Sequence, residues 1–475
     1  MRSTLLAATT LISCLAASLP ALADEVQVTP DQQSAIAVTI YNNDLALVRD
    51  SRKVTLAQGE NDLAFVEVSG GIRPETALLT AQDDPISVIE QNFDFDLLTP
   101  QKILEKSVGQ QIRVMRTNPQ TGQDSSEDAT VLSVADGSVV LKIGDRIETA
   151  VPGRLVFSAV PPNLRARPTL VVKLTSEKAG ETPLVLSYLT HGLSWAADYV
   201  AELSPDEKTI DLNGWVTLTN QSGVTYPNAK LQLVAGKVNQ VQQMQPVPMA
   251  AMSGMVAGAP VRKMQEEAAF EYHLYTLDRP TTIQQNQTKQ VSLLTAASIP
   301  VQKVYLFDNL AQNYGGYLDR SAADPQRVNA SIRLSFTNDD ASKLGMPLPE
   351  GILRVYKADQ AGEAIFVGED HIDHTPKNEH VDLTLGEAFD VTARAKQVSF
   401  DKISDHVYES AYEIEFKNAK KEAITATLRE SMPGQWQMLS ESLKHEQINA
   451  ATAQWQVPVP SEGSSKLTYK VRITY

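Results

Sequence analysis

Apolar side chains recur at every second position along most of this chain, and that period is the constraint from which its fold class follows. In Ala35 to Tyr41 the apolar positions Ile36, Val38 and Ile40 point one way, Asn42-Asn43-Asp44 supplies a turn, and Leu45 to Val48 leaves it as the second arm of a hairpin. Val54-Thr55-Leu56 and Leu63 to Val68 flank Ala57-Gln58-Gly59-Glu60-Asn61, whose glycine reaches positive φ without steric cost; this is a second hairpin. Alternation of this kind buries one face of a sheet and wets the other, so sheet must pack on sheet. The expectation is an all-β chain of tandem, immunoglobulin-like β-sandwiches.

One short helix interrupts the pattern. It starts at Thr99, a capping residue, with Pro100 where a missing N–H costs nothing, and ends at Gly109. From Gln111 to Pro162 short strands are punctuated by Asp136-Gly137 and Gly144-Asp145, which predicts a small SH3-like barrel of five strands inserted into the first sandwich. The expected order is therefore an N-terminal β-domain over 24–98, helix and barrel over 99–163, and a continuation of the first sandwich over 164–237. A loop rich in Gln, Pro, Ala, Gly and Met follows over 238–269, then a central sandwich over 270–390 and a terminal one over 391–475.

The N-terminus has the order of a secretory signal: Arg2, an apolar run from Leu5 to Ala17, Pro20 and the small-residue site Ala21-Leu22-Ala23. The run is shorter than the roughly 20 residues of a membrane span, so the expectation is an exported chain beginning near Asp24, periplasmic or secreted, with no transmembrane span. Lipid anchoring through Cys14 in Leu11-Ile12-Ser13-Cys14 is the alternative. Cys14 is the only cysteine, so the mature chain has no thiol for disulfide, thiolate or nucleophilic chemistry. Loss of Arg2 takes one of 42 basic residues, leaving 41 against 57 acidic and a charge of −16, a balance that repels nucleic acid.

Tyr188-Leu189-Thr190-His191-Gly192-Leu193-Ser194-Trp195, Asp198-Tyr199, Gly214-Trp215 and Asn220-Gln221-Ser222-Gly223 together resemble a bacterial family of exported proteins described as a domain of unknown function, distantly related to mucoidy inhibitor A proteins. Glu90 to Leu98, Tyr272 to Leu277, Gly368 to Pro376 and Gly386 to Val391 extend the resemblance over most of the mature chain. It implies no catalytic residue, and only by analogy a role in the cell envelope.

Candidate chemistry is sparse. Glu369-Asp370-His371-Ile372-Asp373-His374, with His380 beyond it, holds residue types that suit zinc, and His371, Asp373 and His374 are the candidate ligands. An extended backbone puts His371 and Asp373 on one face and His374 on the other, so the same stretch also reads as a polar strand end. Met249, Met252 and Met255, between Met244 and Met264, form a thioether set suited to Cu(I), with His273 as a further donor, or an adaptable apolar loop. Ser194 in Gly192-Leu193-Ser194-Trp195-Ala196 approaches a nucleophile elbow but lacks its last glycine. His445-Glu446 opens like a zincin helix and lacks the second histidine.

Asp94, Asp96 and Asp198 are the carboxylates from which a glycosidase pair could be drawn. Trp195, Trp215, Trp436 and Trp455 read as sandwich core or as sugar platforms. Leu467, Tyr469, Val471 and Ile473 alternate like an outer-membrane strand or a soluble edge strand. No cofactor is named by these patterns. The functional expectation is a non-enzymatic envelope scaffold that binds a protein or cell-wall glycan partner through loops on rigid sheets. The alternative is a metal-handling or metal-dependent envelope protein using the His371 cluster or the Met249 loop.

Overall fold

The computed structural model describes residues 25–81, 85–94, 96–135, 137–150, 153–161, 164–236, 238–239, 265–269, 272–311, 316–320 and 326–475. The N-terminal segment read as a signal, Cys14 and most of the 238–269 stretch, with Met249, Met252 and Met255, lie outside them. The chain is almost wholly β, in several sheets, as the alternation requires. It divides into two compact units, Met1–Ile36 with Leu47–Thr190, and Ala37–Ala46 with His191–Tyr475. Among the described residues no helix is long and apolar enough to cross a membrane.

In the first unit Val26–Val28, Gly59–Val66, Thr169–Ser176 and Ile86–Asp94 form one sheet in that order, while Gly180–Thr190 lies between Leu45–Leu56 and Leu78–Ala81 in another. Alternate side chains close the core, with Val54, Phe65, Leu170, Val172 and Leu184 fully buried. The inserted module is as the turns predict. Gln111–Thr117, Asp124–Ala135, Ser138–Ile143 and Arg146–Glu148 run as a meander, and Arg154–Val156 returns to pair with the first of them. The flanking strands pair with each other, Thr169 opposite Asp94, which makes the module an insertion. Its helix, Pro100–Lys106, is capped by Thr99, whose Oγ1 accepts from Lys102 N at 3.1 Å, and Leu104 packs on the module's core.

The second unit departs from a simple succession of domains. Leu193–Leu203 and Thr209–Asn220, which sequence order assigns to the first sandwich, join Gln287–Pro300, Gly351–Ala358 and Ala364–Ile372 in a five-stranded sheet. The boundary expected at 390 falls inside one 25-residue strand, His380–Ser404. That strand belongs to a nine-stranded sheet in the order Gln435–Glu441, Gly463–Thr474, Val407–Asn418, His380–Ser404, Val328–Thr337, Gln302–Asp308, Ile424–Ser431, Thr452–Val459 and Glu446–Asn449. The sheet folds over on itself: Tyr469 of its second strand stacks on Trp455 of its eighth, ring centroids 4.9 Å apart, within one shared core. The apolar face Leu467, Tyr469, Val471 and Ile473 therefore points into a sandwich, and its strand is paired on both sides and is no edge. Gln265–Ala269, the end of the stretch read as a loop, is a strand paired with Tyr272–Thr276.

The five-stranded and nine-stranded sheets of this unit are joined by a charged clasp. Glu207, in the turn after Leu193–Leu203, receives Lys303 Nζ at 2.7 Å and Lys357 Nζ at 2.6 Å. Partial burial pushes its carboxyl up, but the two ammonium groups outweigh that and hold it down at about 2.

Three strand ends repeat one device. Asn220, Asn338 and Asn418 each follow two inward-pointing apolar residues, as in Leu334-Ser335-Phe336-Thr337-Asn338, and each is buried. Each donates Nδ2 to loop carbonyls, Val224 and Gln284, Met346 and Pro376, or Glu422 and Pro460, at 2.8 to 3.0 Å. Their Oδ1 atoms accept from Ser222 N, Gly345 N and Lys420 N. A buried loop leaves carbonyls without ladder partners, and a primary amide at the corner supplies the missing donors.

Candidate functional site

Two of the segments that carry the family resemblance, His191-Gly192 and Asn220-Gln221-Ser222, meet at the first of these corners. His191 and Gly192 turn the chain, with Gly192 at φ +86°, and Gly192 N donates to Asp44 Oδ1 at 2.7 Å. A side chain at Gly192 would stand 2.7 Å from the backbone of Ser222, and Gln221 N donates to Gly192 O at 2.6 Å. The turn joins strand to strand, and Ser194 lies within Leu193–Leu203 opposite Thr219, so the strand-turn-helix setting of a nucleophile elbow is missing there. His445 sits in a bend after Gln435–Glu441 and pairs with Glu441, Nδ1 to Oε2 2.9 Å.

The histidine-acid stretch is dispersed by its strand. Glu369 pairs with Arg354 at 3.1 Å, Asp370 accepts from Thr384 N at 2.7 Å, and His371 Nε2 lies 3.9 Å from Asp373 Oδ1. His374 Nδ1 instead accepts from Glu350 N at 3.0 Å, and His380 Nδ1 bonds Thr337 Oγ1. Among the described residues no three His, Cys, Asp or Glu side chains gather as a metal site. The three aspartates are likewise occupied. Asp94 binds Arg165 at 3.0 Å, Asp96 binds Lys106 at 2.7 Å, and Asp198 binds Thr217 at 2.7 Å and Arg354 at 2.9 Å. Lys106, followed by Lys102, holds the Asp96 carboxyl below its usual range, the reverse of what a general acid needs. Trp195 and Trp455 are core, and Trp215 and Trp436 are half-buried.

Among the described residues Glu430 is the one carboxyl with a strongly raised pKa. Full burial drives it up to about 8, although Ala311 N and Tyr317 Oη, each 3.0 Å away, pull in the other direction. Tyr317 Oη continues to Tyr469 Oη at 3.0 Å, and Tyr412 Oη donates to Gly316 O at 2.6 Å. These bonds fasten the segment around Ala311 and Tyr317 onto the sandwich, which is a structural task.

An exposed aromatic residue lies elsewhere on the same sandwich. Glu387 is opposite Ser331 and Thr392 is opposite Asn329, so Ala388-Phe389-Asp390-Val391 face the single residue Ala330. The four residues bulge outward, Ala388 and Val391 turn into the core, and Phe389 is left 84% exposed. Bulges re-aim side chains, and a phenyl ring held in water is costly unless a partner covers it. The bulge overlooks an open groove of about 680 Å³ running across four adjacent strands, with Arg327, Thr392, Arg394, Lys417 and Glu462 in its walls. Periodicity does not disclose this site, because a bulge changes the register that periodicity assumes. By sequence Phe389 keeps the phase of the buried Val381, Leu383, Val391, Ala393 and Ala395, so alternation alone would bury it.

A search of curated proteins finds no match. The profile of a family described as a domain of unknown function, DUF4139, matches residues 184–475. That match covers the five-stranded and nine-stranded sheets, the asparagine corners and the Phe389 groove, and the chain belongs to the DUF4139 family of unknown function.

Proposed function

We propose that this chain is an exported envelope protein that works as a binding scaffold, with the Phe389 groove as its contact surface. The observation that carries the reading is the four-residue bulge that holds Phe389 84% exposed between the packed Ala388 and Val391. Covering such a ring is worth about 1.5 to 3 kcal/mol, enough to anchor a contact, and rigid strands on both sides preorganise it. The carboxylates that could have served hydrolysis are each held by a cation or hydroxyl, which favours binding over catalysis. The resemblance to mucoidy inhibitor A proteins and the signal-like N-terminus belong to the same proposal and support a partner in the cell envelope.

The test is retention on isolated envelope material, both cell-wall glycan and envelope protein fractions, by the purified chain and by Phe389→Ser. The substitution lies at an exposed position and is expected to leave the melting temperature unchanged while weakening retention about tenfold or more. Equal retention of both proteins refutes the proposal.

A further inference from the structure

We propose that the groove beside Phe389 takes a short extended peptide with a free amine and a free carboxylate; this rests on the binding reading above. Its ground is the set of charges in the groove walls. Along the neighbouring stretch of the same strands the charges pair: Glu413 with Lys466 at 3.1 Å, and Glu409 with Lys470 and Arg472, both at 2.6 Å. In the groove, among the described residues, the one ion pair is Lys417 with Glu415, which lies opposite Arg394. Arg327 and Arg394 make no ion pair or side-chain hydrogen bond among the described residues, and neither do the carboxylates of Asp390 and Glu462. Among the same residues Lys417 reaches only Glu415, at 3.6 Å.

Unused charges of both signs in one groove select a ligand with both signs. An acidic polymer would satisfy the guanidinium groups and be repelled by Asp390 and Glu462, and a neutral sugar would leave the guanidinium forks without carboxylates. A peptide with free ends offers a carboxylate to Arg327 and Arg394 and an ammonium group to Asp390 and Glu462. An apolar side chain between its ends would lie on Phe389. The groove, about 680 Å³, is of the size that holds a few residues.

The experiment is equilibrium dialysis of the full chain against a randomised tetrapeptide mixture with free ends, read by mass spectrometry. The same mixture acetylated at the amine, amidated at the carboxylate, or blocked at both ends is run beside it, together with an uncharged chitotriose. Free peptide is expected to be retained, with each blocked end costing about tenfold. Arg327→Gln/Arg394→Gln should abolish the difference made by amidation, and Asp390→Asn/Glu462→Gln the difference made by acetylation. Equal retention of free and fully blocked peptide, or retention of chitotriose in place of peptide, overturns the peptide inference while leaving a binding groove. If nothing is retained but Phe389→Ser still weakens capture of envelope material, the peptide inference alone fails. If that substitution has no effect either, both readings fail together.

Discussion

Arg52→Ala is expected to destabilise the first unit by about 3 to 5 kcal/mol, because it strips the cation from a carboxylate that stays buried. Arg52 is 1% exposed. Its Nε and Nη2 donate to Asp50 Oδ2 at 3.0 and 2.7 Å, and its Nη1 donates to Val28 O at 2.7 Å and Val66 O at 2.9 Å. Val28 and Val66 are the last residues of two parallel strands, so one guanidinium closes both strand ends at once. Among the described residues, truncation leaves the buried Asp50 carboxylate with only Gln33 Nε2, at 2.8 Å, and strands two carbonyls. The tryptophans all lie in the second unit, so hydrogen exchange over Val26–Val28 and Gly59–Val66 is the proper readout. The double variant Asp50→Leu/Arg52→Met removes both charges and should recover much of the loss. Unchanged protection in Arg52→Ala would show that the pair is idle.

Stability of the C-terminal sandwich is expected to fall as pH rises from 5 to 8, and Glu430→Gln to flatten that fall. Unfolded, the Glu430 carboxyl titrates near its usual 4.5; folded, burial and then the nearby Asp308 keep its proton on until about pH 8. Between those values the folded state holds a proton that the unfolded state has released. The stability from this group is therefore full below about pH 4.5 and drains away at about 1.4 kcal/mol per pH unit, roughly 5 kcal/mol by pH 8. Glutamine keeps an acceptor for Ala311 N and a partner for Tyr317 Oη but has no proton to lose. Urea unfolding followed by tryptophan emission reports on this core, because Trp455 stacks on Tyr469 within it. The difference between wild type and Glu430→Gln cancels the other titrating groups. Parallel curves for the two proteins would place the Glu430 proton elsewhere.

The legible and illegible parts of this fold divide along a physical line. The turn at Asn42-Asn43-Asp44, the Thr99 cap, and the meander between Gln111 and Val156 are readable because each depends on residues a few positions apart. Gly59 turns the chain as expected, but Leu45–Leu56 and Gly59–Val66 enter different sheets, so the hairpin expected there does not form. The asparagine corners are readable in principle, since the apolar pair before Asn220, Asn338 and Asn418 recurs three times. A strand-end asparagine alone does not declare whether its amide faces loop carbonyls or water.

Partnership between strands is not readable. Val200 lies beside Arg354 and Leu306 beside Thr427, pairings that cross more than a hundred residues, and alternation says which face of a strand is buried without saying which strand lies next to it. For the same reason the candidate ligands His371, Asp373 and His374, close in sequence, do not converge, His374 turning to Glu350 while His371 stays near Asp373, whereas Phe389, Arg327, Lys417 and Glu462, far apart in sequence, line one groove. An all-β chain with an inserted barrel follows from the amino-acid order alone, because a period of two and a few turn residues act locally. The buried Arg52, the buried Glu430 and the bulge that exposes Phe389 come from folding in three dimensions, because burial and register depend on which distant strands meet.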